Sequence, residues 1–158
     1  MKQLLKNLFP LLLGILLFSK QSFAQLKTYQ VEQIDSLQKI EKRMVLVFIS
    51  TDWCRYCQTM KNTTFKNDKI VDQINKRFYF VDLNGEEKRT VVFKNHFFKY
   101  KPTGHNTGTH ELAEQLGTVE GNIAYPTLCF LNTDSEIIFQ YPQYIEHTDL
   151  MAILARLK

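Results

Sequence analysis

Met44-Val45-Leu46-Val47-Phe48-Ile49-Ser50-Thr51-Asp52-Trp53-Cys54-Arg55-Tyr56-Cys57 is the stretch from which the rest of the chain is read. Met44 to Ile49 is a continuous apolar run rich in β-branched residues, the pattern of a strand buried on both faces. From Cys54 to about Phe65 there is neither Gly nor Pro, and Cys57, Met60 and Lys61 fall on one side of a helix. A buried strand therefore delivers two cysteines, three positions apart, to the first turn of a helix. At that spacing they can join as a disulfide with little backbone movement. The positive end of the helix favours the thiolate of the first cysteine. Thiolate is the species that attacks a disulfide, so the pattern makes Cys54 the nucleophile and Cys57 the thiol that resolves the mixed disulfide. Arg55 adds positive charge near the first sulfur, and Asp52 opposes it.

Outward from this stretch, the chain alternates helices and strands. Upstream, Val31, Ile34, Leu37 and Ile40 recur at intervals of three over residues 25–43 and predict an amphipathic first helix. Downstream, Asp68 opens a short helix with Ile70, Val71 and Ile74 inward, and Phe78–Leu83 is a second strand. Two β-rich pieces, Thr90–Phe93 and Phe97–Tyr100, flank Lys94-Asn95-His96 as a hairpin. Thr109 caps a helix through about Leu116, with Glu111 in its favourable first turn. Pro126–Leu131 and Glu136–Gln140 are strands joined by the turn-forming Asn132-Thr133-Asp134-Ser135, so they pair as a hairpin. Thr148 caps a last helix bearing Leu150, Leu154 and Leu157 on one face. No internal repeat interrupts this order, which describes an α/β sandwich around one central sheet.

The residues Val47–Ile49, Trp53-Cys54-x-x-Cys57 and Tyr125-Pro126-Thr127 before a strand make this chain resemble the thioredoxin superfamily over nearly all of residues 25–158. More narrowly, it looks like the exported thioredoxin-like proteins of the thiol:disulfide interchange type. The resemblance implies a thioredoxin-like fold, a central mixed sheet flanked by helices. It also implies that Pro126 is cis and lies against the cysteine pair, with Tyr125 offering backbone hydrogen bonds to substrate and Trp53 as a partly exposed ring beside the active sulfur. Two features depart from the pattern. Phe48 stands where thioredoxin has a buried acid, so proton transfer falls to another group, Asp82 on the neighbouring strand or water. Residues 84–108 form an insertion before the helix that precedes the cis-proline strand, and a segment of that length shapes partner choice.

Other readings of the same residues are a structural disulfide or a Cu(I) or Zn(II) site at Cys54 and Cys57, with His105 or His110 as further ligands. No second CxxC is present. Cys129 lies inside an apolar strand and reads as a buried, inert thiol. His96, His105, His110 and His147 read as surface or capping residues, and Lys99-Tyr100-Lys101 as a solvated stretch. The whole chain carries a formal charge of +4, but Lys2, Lys6 and Lys20 supply three of those charges, and no acid precedes residue 25. Nucleic acid is therefore not an expected partner.

Lys2 and Lys6, the 11-residue apolar run Leu8–Phe18 and the small residues of Ser22-Phe23-Ala24 have the order of a secretory signal over residues 1–24. Residues 25–158 then form one domain in a compartment that tolerates disulfides, periplasmic or otherwise exported. The function this implies is an exported thiol-disulfide oxidoreductase that reduces protein disulfides. It has no bound cofactor and no metal, and a membrane-bound thiol donor recharges it. The alternatives are a copper metallochaperone using the same cysteines and a binding module of the same fold without turnover.

Overall fold

The computed structural model describes residues 25–157, and the signal segment predicted for residues 1–24 lies outside them. A 3₁₀ turn over Val31–Gln33 leads into helix α1, Ile34–Ile40. Val31 and Ile34 are buried but Ile40 is 83% exposed. A strict three-residue spacing drifts backward by about 60° per step on a 3.6-residue helix, so the fourth apolar position lies about half a turn from the first. Strand β1, Met44–Ser50, is buried from Val45 onward. Helix α2, Arg55–Asn62, follows it and ends in a 3₁₀ turn over Thr64–Lys66. Helix α3, Asp68–Arg77, is capped by Asn67, whose Oδ1 accepts from the Lys69 and Ile70 amides at 3.1 and 3.3 Å. Its Ile70, Val71 and Ile74 point inward as expected. Strand β2 is Phe78–Asn84.

The insertion is two hairpins rather than one. Strands β3, Val91–Phe93, and β4, His96–Phe98, pair around Lys94 and Asn95. Both turn residues have positive φ, 53° and 59°, the two-residue turn whose twist matches the flanking strands. His96 therefore belongs to a strand and not to the loop. Strands β5, Tyr100–Pro102, and β6, Gly108–His110, form the second hairpin. Helix α4, Glu111–Gly117, is capped by His110, not Thr109. Thr109 is still paired with Lys101 in the hairpin, so the chain leaves the strand one residue later and the His110 Nδ1 accepts from the Leu112 amide at 3.3 Å. Short strands β7, Thr118–Val119, and β8, Asn122–Ile123, precede β9, Thr127–Leu131, and β10, Ile137–Tyr141. The last helix, α5, His147–Arg156, starts a residue before the expected cap and has Glu146 at its N-cap without a side-chain bond.

The central sheet has the order β10-β9-β1-β2. Strand β2 runs parallel to β1, and β9 runs antiparallel to both β1 and β10, so the sheet is mixed. Beyond β2, among the described residues, the sheet is extended by a single bridge, Thr28 to Phe80. Side chains alternate between two buried clusters. Val45, Val47, Ile49 and Val81 pack toward α1 and α4. Leu46, Phe48, Phe80 and Phe130 pack toward α2, α3 and α5. The C-terminal ends of β1 and β2 meet at one edge of this sandwich, where Gly85 N donates to Ser50 O at 2.7 Å. That edge carries the cysteines.

Candidate active site

Ser50 ends β1, and the chain turns through Thr51-Asp52-Trp53, closed by the Cys54 amide on Thr51 O at 3.2 Å. Cys54 is the N-cap of α2 with extended backbone (φ −76°, ψ 104°), and its Sγ accepts from the Cys57 amide at 3.1 Å. The two cysteines are joined as a disulfide. This is the geometry that the buried strand and the Gly-free helix predict. It gives the first sulfur both an N–H donor and the positive helix end, each of which stabilises negative charge there on reduction. Cys54 is 4% exposed and Cys57 fully buried, so an incoming partner meets the first sulfur. Arg55 and Asp52 are both exposed.

Aromatic rings flank the pair. Trp53 and Tyr56 are 64% and 66% exposed. Trp53 meets Tyr125 edge to face at 5.9 Å, and Tyr56 stands 5.9 Å from Tyr144. The Tyr125–Pro126 peptide bond is cis, and Pro126 is buried. Thr127 Oγ1 donates to Ala124 O at 2.7 Å and ties the two sides of that loop together. Burial pushes the Tyr125 phenol above its ordinary range, with the charge of Glu86 adding to the effect. A Cβ on Gly85 would stand 2.4–2.6 Å from the Tyr125 ring and hydroxyl, so the glycine lets Tyr125 lie flat over the end of β2.

The tertiary arrangement brings Trp53, Cys54, Cys57, Tyr125 and Pro126 to one end of the sheet and keeps the histidines apart. His110 is buried as the α4 cap, and His96, His105 and His147 are exposed. Among the described residues, no three His, Cys, Asp or Glu side chains form a set that could hold a metal ion. Cys129 is fully buried opposite Val47 in β9, and burial pushes its thiol up to about 12. Sequence reasoning missed Gly85 and Tyr144. Their roles come from rings packed across long sequence separations, and no local pattern signals them. Asp82, named from the sequence as an alternative proton acceptor, is bound by Lys61 Nζ at 2.7 Å and by the Ser50 hydroxyl at 3.0 Å.

A disulfide at a helix N-terminus, reached by a buried strand and backed by a cis-proline loop in an α/β sandwich, defines a thiol–disulfide exchange class of site. The family description of a thioredoxin-like domain matches residues 30–158, and the chain belongs to that family. No curated protein sequence matches it. Solved structures share the fold at low identity. A DsbH oxidoreductase is 14% identical with a TM-score of 0.60, the match covering 90% of this chain and 94% of that one. A thioredoxin from Thermus thermophilus is 17% identical with a TM-score of 0.59, over 84% of this chain and 86% of that one. The exposed lipoprotein thioredoxin of Streptococcus pneumoniae is 16% identical with a TM-score of 0.51, over 82% and 98%.

Proposed function

We propose that this protein is an exported thiol-disulfide oxidoreductase that reduces disulfides in protein substrates. The observation that carries the reading is the Cys54 sulfur, placed at the α2 N-cap with the Cys57 amide 3.1 Å away and exposed aromatic rings on either side. In the reduced protein, the Cys54 thiolate attacks a substrate disulfide and forms a mixed disulfide. Cys57 then attacks Cys54, releasing the reduced substrate. Trp53 and Tyr125 offer the substrate chain an apolar shelf, and the loop at Pro126 offers it backbone groups. Export is supported by the order of charge, apolar run and small residues in residues 1–24, and a surface-exposed lipoprotein thioredoxin has the same fold.

The direction follows from what stabilises the reduced pair. A strongly oxidising pair has a thiolate held so well that its potential rises to about −120 mV, against about −270 mV for a reducing one. Here the neutral Tyr56 occupies the first turn beside Cys57. Arg55 is exposed, so solvent and salt screen its charge. That leaves the amide and the helix end as the groups that stabilise the Cys54 thiolate, which favours a potential below roughly −200 mV. An exported reductant must be recharged, and a membrane-bound thiol donor fits that need. Equilibration with glutathione tests the assignment, and a potential above about −150 mV makes the protein an oxidant instead. A Cys57→Ala variant traps substrates on Cys54, and Cys54→Ala does not. Equal trapping by both variants contradicts the assigned roles, and tight copper(I) binding without adducts favours metal handling.

A further inference from the structure

Among the described residues, the most exposed large apolar side chain is Ile40. It ends α1, just before β1 begins, and so lies at the end of the molecule opposite the cysteines. Three turns meet around it. The end of α1, the Lys94–Asn95 turn of the first hairpin and the Thr133–Ser135 turn between β9 and β10 line one cavity of about 550 Å³. Lys94 fastens them together, its amide donating to Asp35 Oδ2 at 3.0 Å and its ammonium to the Asp134 carbonyl at 2.7 Å. Lys39, Lys42 and Lys94 line this cavity and are exposed, and none of them is ion-paired among the described residues. Asp35 and Asp134 share the lining, and nearby Glu41 is neutralised by Arg43 at 2.6 Å. Behind the hairpin turn, Val92 and Phe97 oppose each other on the outer face, 37% and 69% exposed. The chain also enters the fold at this end. Gln25 O accepts from Asn75 Nδ2 at 2.9 Å, and Asn75 O accepts from Arg43 Nη1 at 2.9 Å. The apolar run Leu8–Phe18 therefore precedes a residue held beside Arg43. Strand β1, about 20 Å long, separates this end from Cys54. At the cysteine end, Asp52, Glu86 and the Arg89-paired Glu87 line a cavity beside the active-site loop, together with Lys88.

We infer that the Ile40 end of the molecule docks on the surface of an anionic lipid bilayer. Lysines without carboxylate partners are drawn to lipid phosphates, and an apolar tip between them enters the boundary beyond the headgroups. A protein partner needs a broad apolar patch of matching shape. Here the apolar side chains stand singly or in a pair among lysines on separate turns, which a fluid surface accommodates without shape matching. A second copy of this chain would bring the same lysines against Lys39, Lys42 and Lys94 and be repelled. The separation of charge also sets the orientation. An anionic surface attracts the lysine end and repels the carboxylates beside the active-site loop, so Cys54 faces away from the bilayer and stays open to substrate. The inference goes beyond disulfide exchange and takes from the proposed function only its setting, a compartment bounded by a membrane.

The test is co-sedimentation with vesicles of equal parts phosphatidylcholine and phosphatidylglycerol, against vesicles of phosphatidylcholine alone. Residues 25–158 are used, since the apolar run before them would add lipid binding of its own. They hold the whole central sheet and both buried clusters and so fold without it. Binding is expected to the anionic vesicles and not to the neutral ones, and it is expected to weaken with added salt. Lys39→Gln and Lys42→Gln are each expected to lower the partition constant about fivefold, and Ile40→Ser several-fold. All three variants are expected to exchange disulfides at the wild-type rate, because their positions lie at the far end of β1 from the cysteines. Absence of binding to anionic vesicles, equal binding to neutral ones, or binding that all three substitutions leave unchanged overturns the inference. A dimer in sedimentation equilibrium that Ile40→Ser disperses also overturns it, since a second copy then covers the surface. A wild-type protein that docks but exchanges no disulfide contradicts the proposed function and leaves this inference standing.

Discussion

Gly85 and Cys129 show how much a single residue depends on its neighbours. Any Cβ at position 85 would sit within 2.4–2.6 Å of the Tyr125 phenol, so Gly85→Ala has to push that ring off its place beside Trp53. Overpacking of this kind costs about 1–3 kcal/mol. The expected outcome is a urea midpoint lowered accordingly, together with several-fold slower disulfide exchange, measured by insulin reduction. Cys129 is expected to show itself only at high pH. Its thiol is raised from 9.0 to about 12 in the folded protein, so between those values the unfolded chain loses a proton that the native chain keeps. Stability from this group is complete below pH 9 and falls by about 1.4 kcal/mol per pH unit above it. Urea titrations from pH 8 to 10.5 should show that decline in the wild-type protein, and Cys129→Ala should remove the part due to this residue. Cys129 packs in the buried cluster on the other face of the sheet from Cys54 and Cys57, so Cys129→Ala should exchange disulfides at the wild-type rate.

Helix α3 and the insertion show what can be read from the sequence of an element and what cannot. Asn67 closes the first turn of α3 by accepting from two amides. Lys76 and Arg77 lie in its last turn, where cations suit the helix dipole. Asn67→Ala should lower stability by about 1 kcal/mol without changing the exchange rate, measured by chemical denaturation and turnover on the same samples. The insertion was legible as β structure because its β-branched and aromatic residues cluster. Its first hairpin was legible as well, although Lys94 and Asn95 both adopt positive φ without the Gly that ordinarily marks such a turn. Lys94 is held there by long-range bonds: its amide donates to Asp35 and its ammonium to the Asp134 carbonyl. The second hairpin is invisible locally, and its pairing displaces the helix cap from Thr109 to His110.

For the molecule as a whole, oxidation state and stability are linked. The disulfide closes a loop of only four residues, Cys54 to Cys57, and by the chain-entropy estimate such a loop restrains the unfolded state by at most about 2 kcal/mol. The amide and the helix end stabilise the reduced thiolate and subtract from that difference. The oxidised protein should therefore be the more stable form, by no more than about 2 kcal/mol, when urea unfolding is compared with and without reductant. A reduced form more stable than the oxidised one would place the pair with the oxidants. The same measurement checks the direction of electron flow independently of glutathione equilibration.

The sequence by itself determined the alternation of strands and helices, the position of Cys54 at a helix start and the burial of Cys129. Each of these is written in local pattern: an apolar run of strand length, an absence of helix breakers, a cysteine among apolar neighbours. Only the tertiary structure decided that Tyr125 lies on Gly85, that His110 caps α4 and is buried, and that Lys61 meets Asp82 behind the cysteine helix. Two of these contacts join residues far apart in the chain, Lys61 with Asp82 at 21 positions and Gly85 with Tyr125 at 40. They arise when the parallel pairing of β1 with β2 sets Phe48 against Asp82 and stacks one layer of helices on each face. Pairing partners and layer order depend on the whole chain collapsing at once, and no short stretch of residues carries that information.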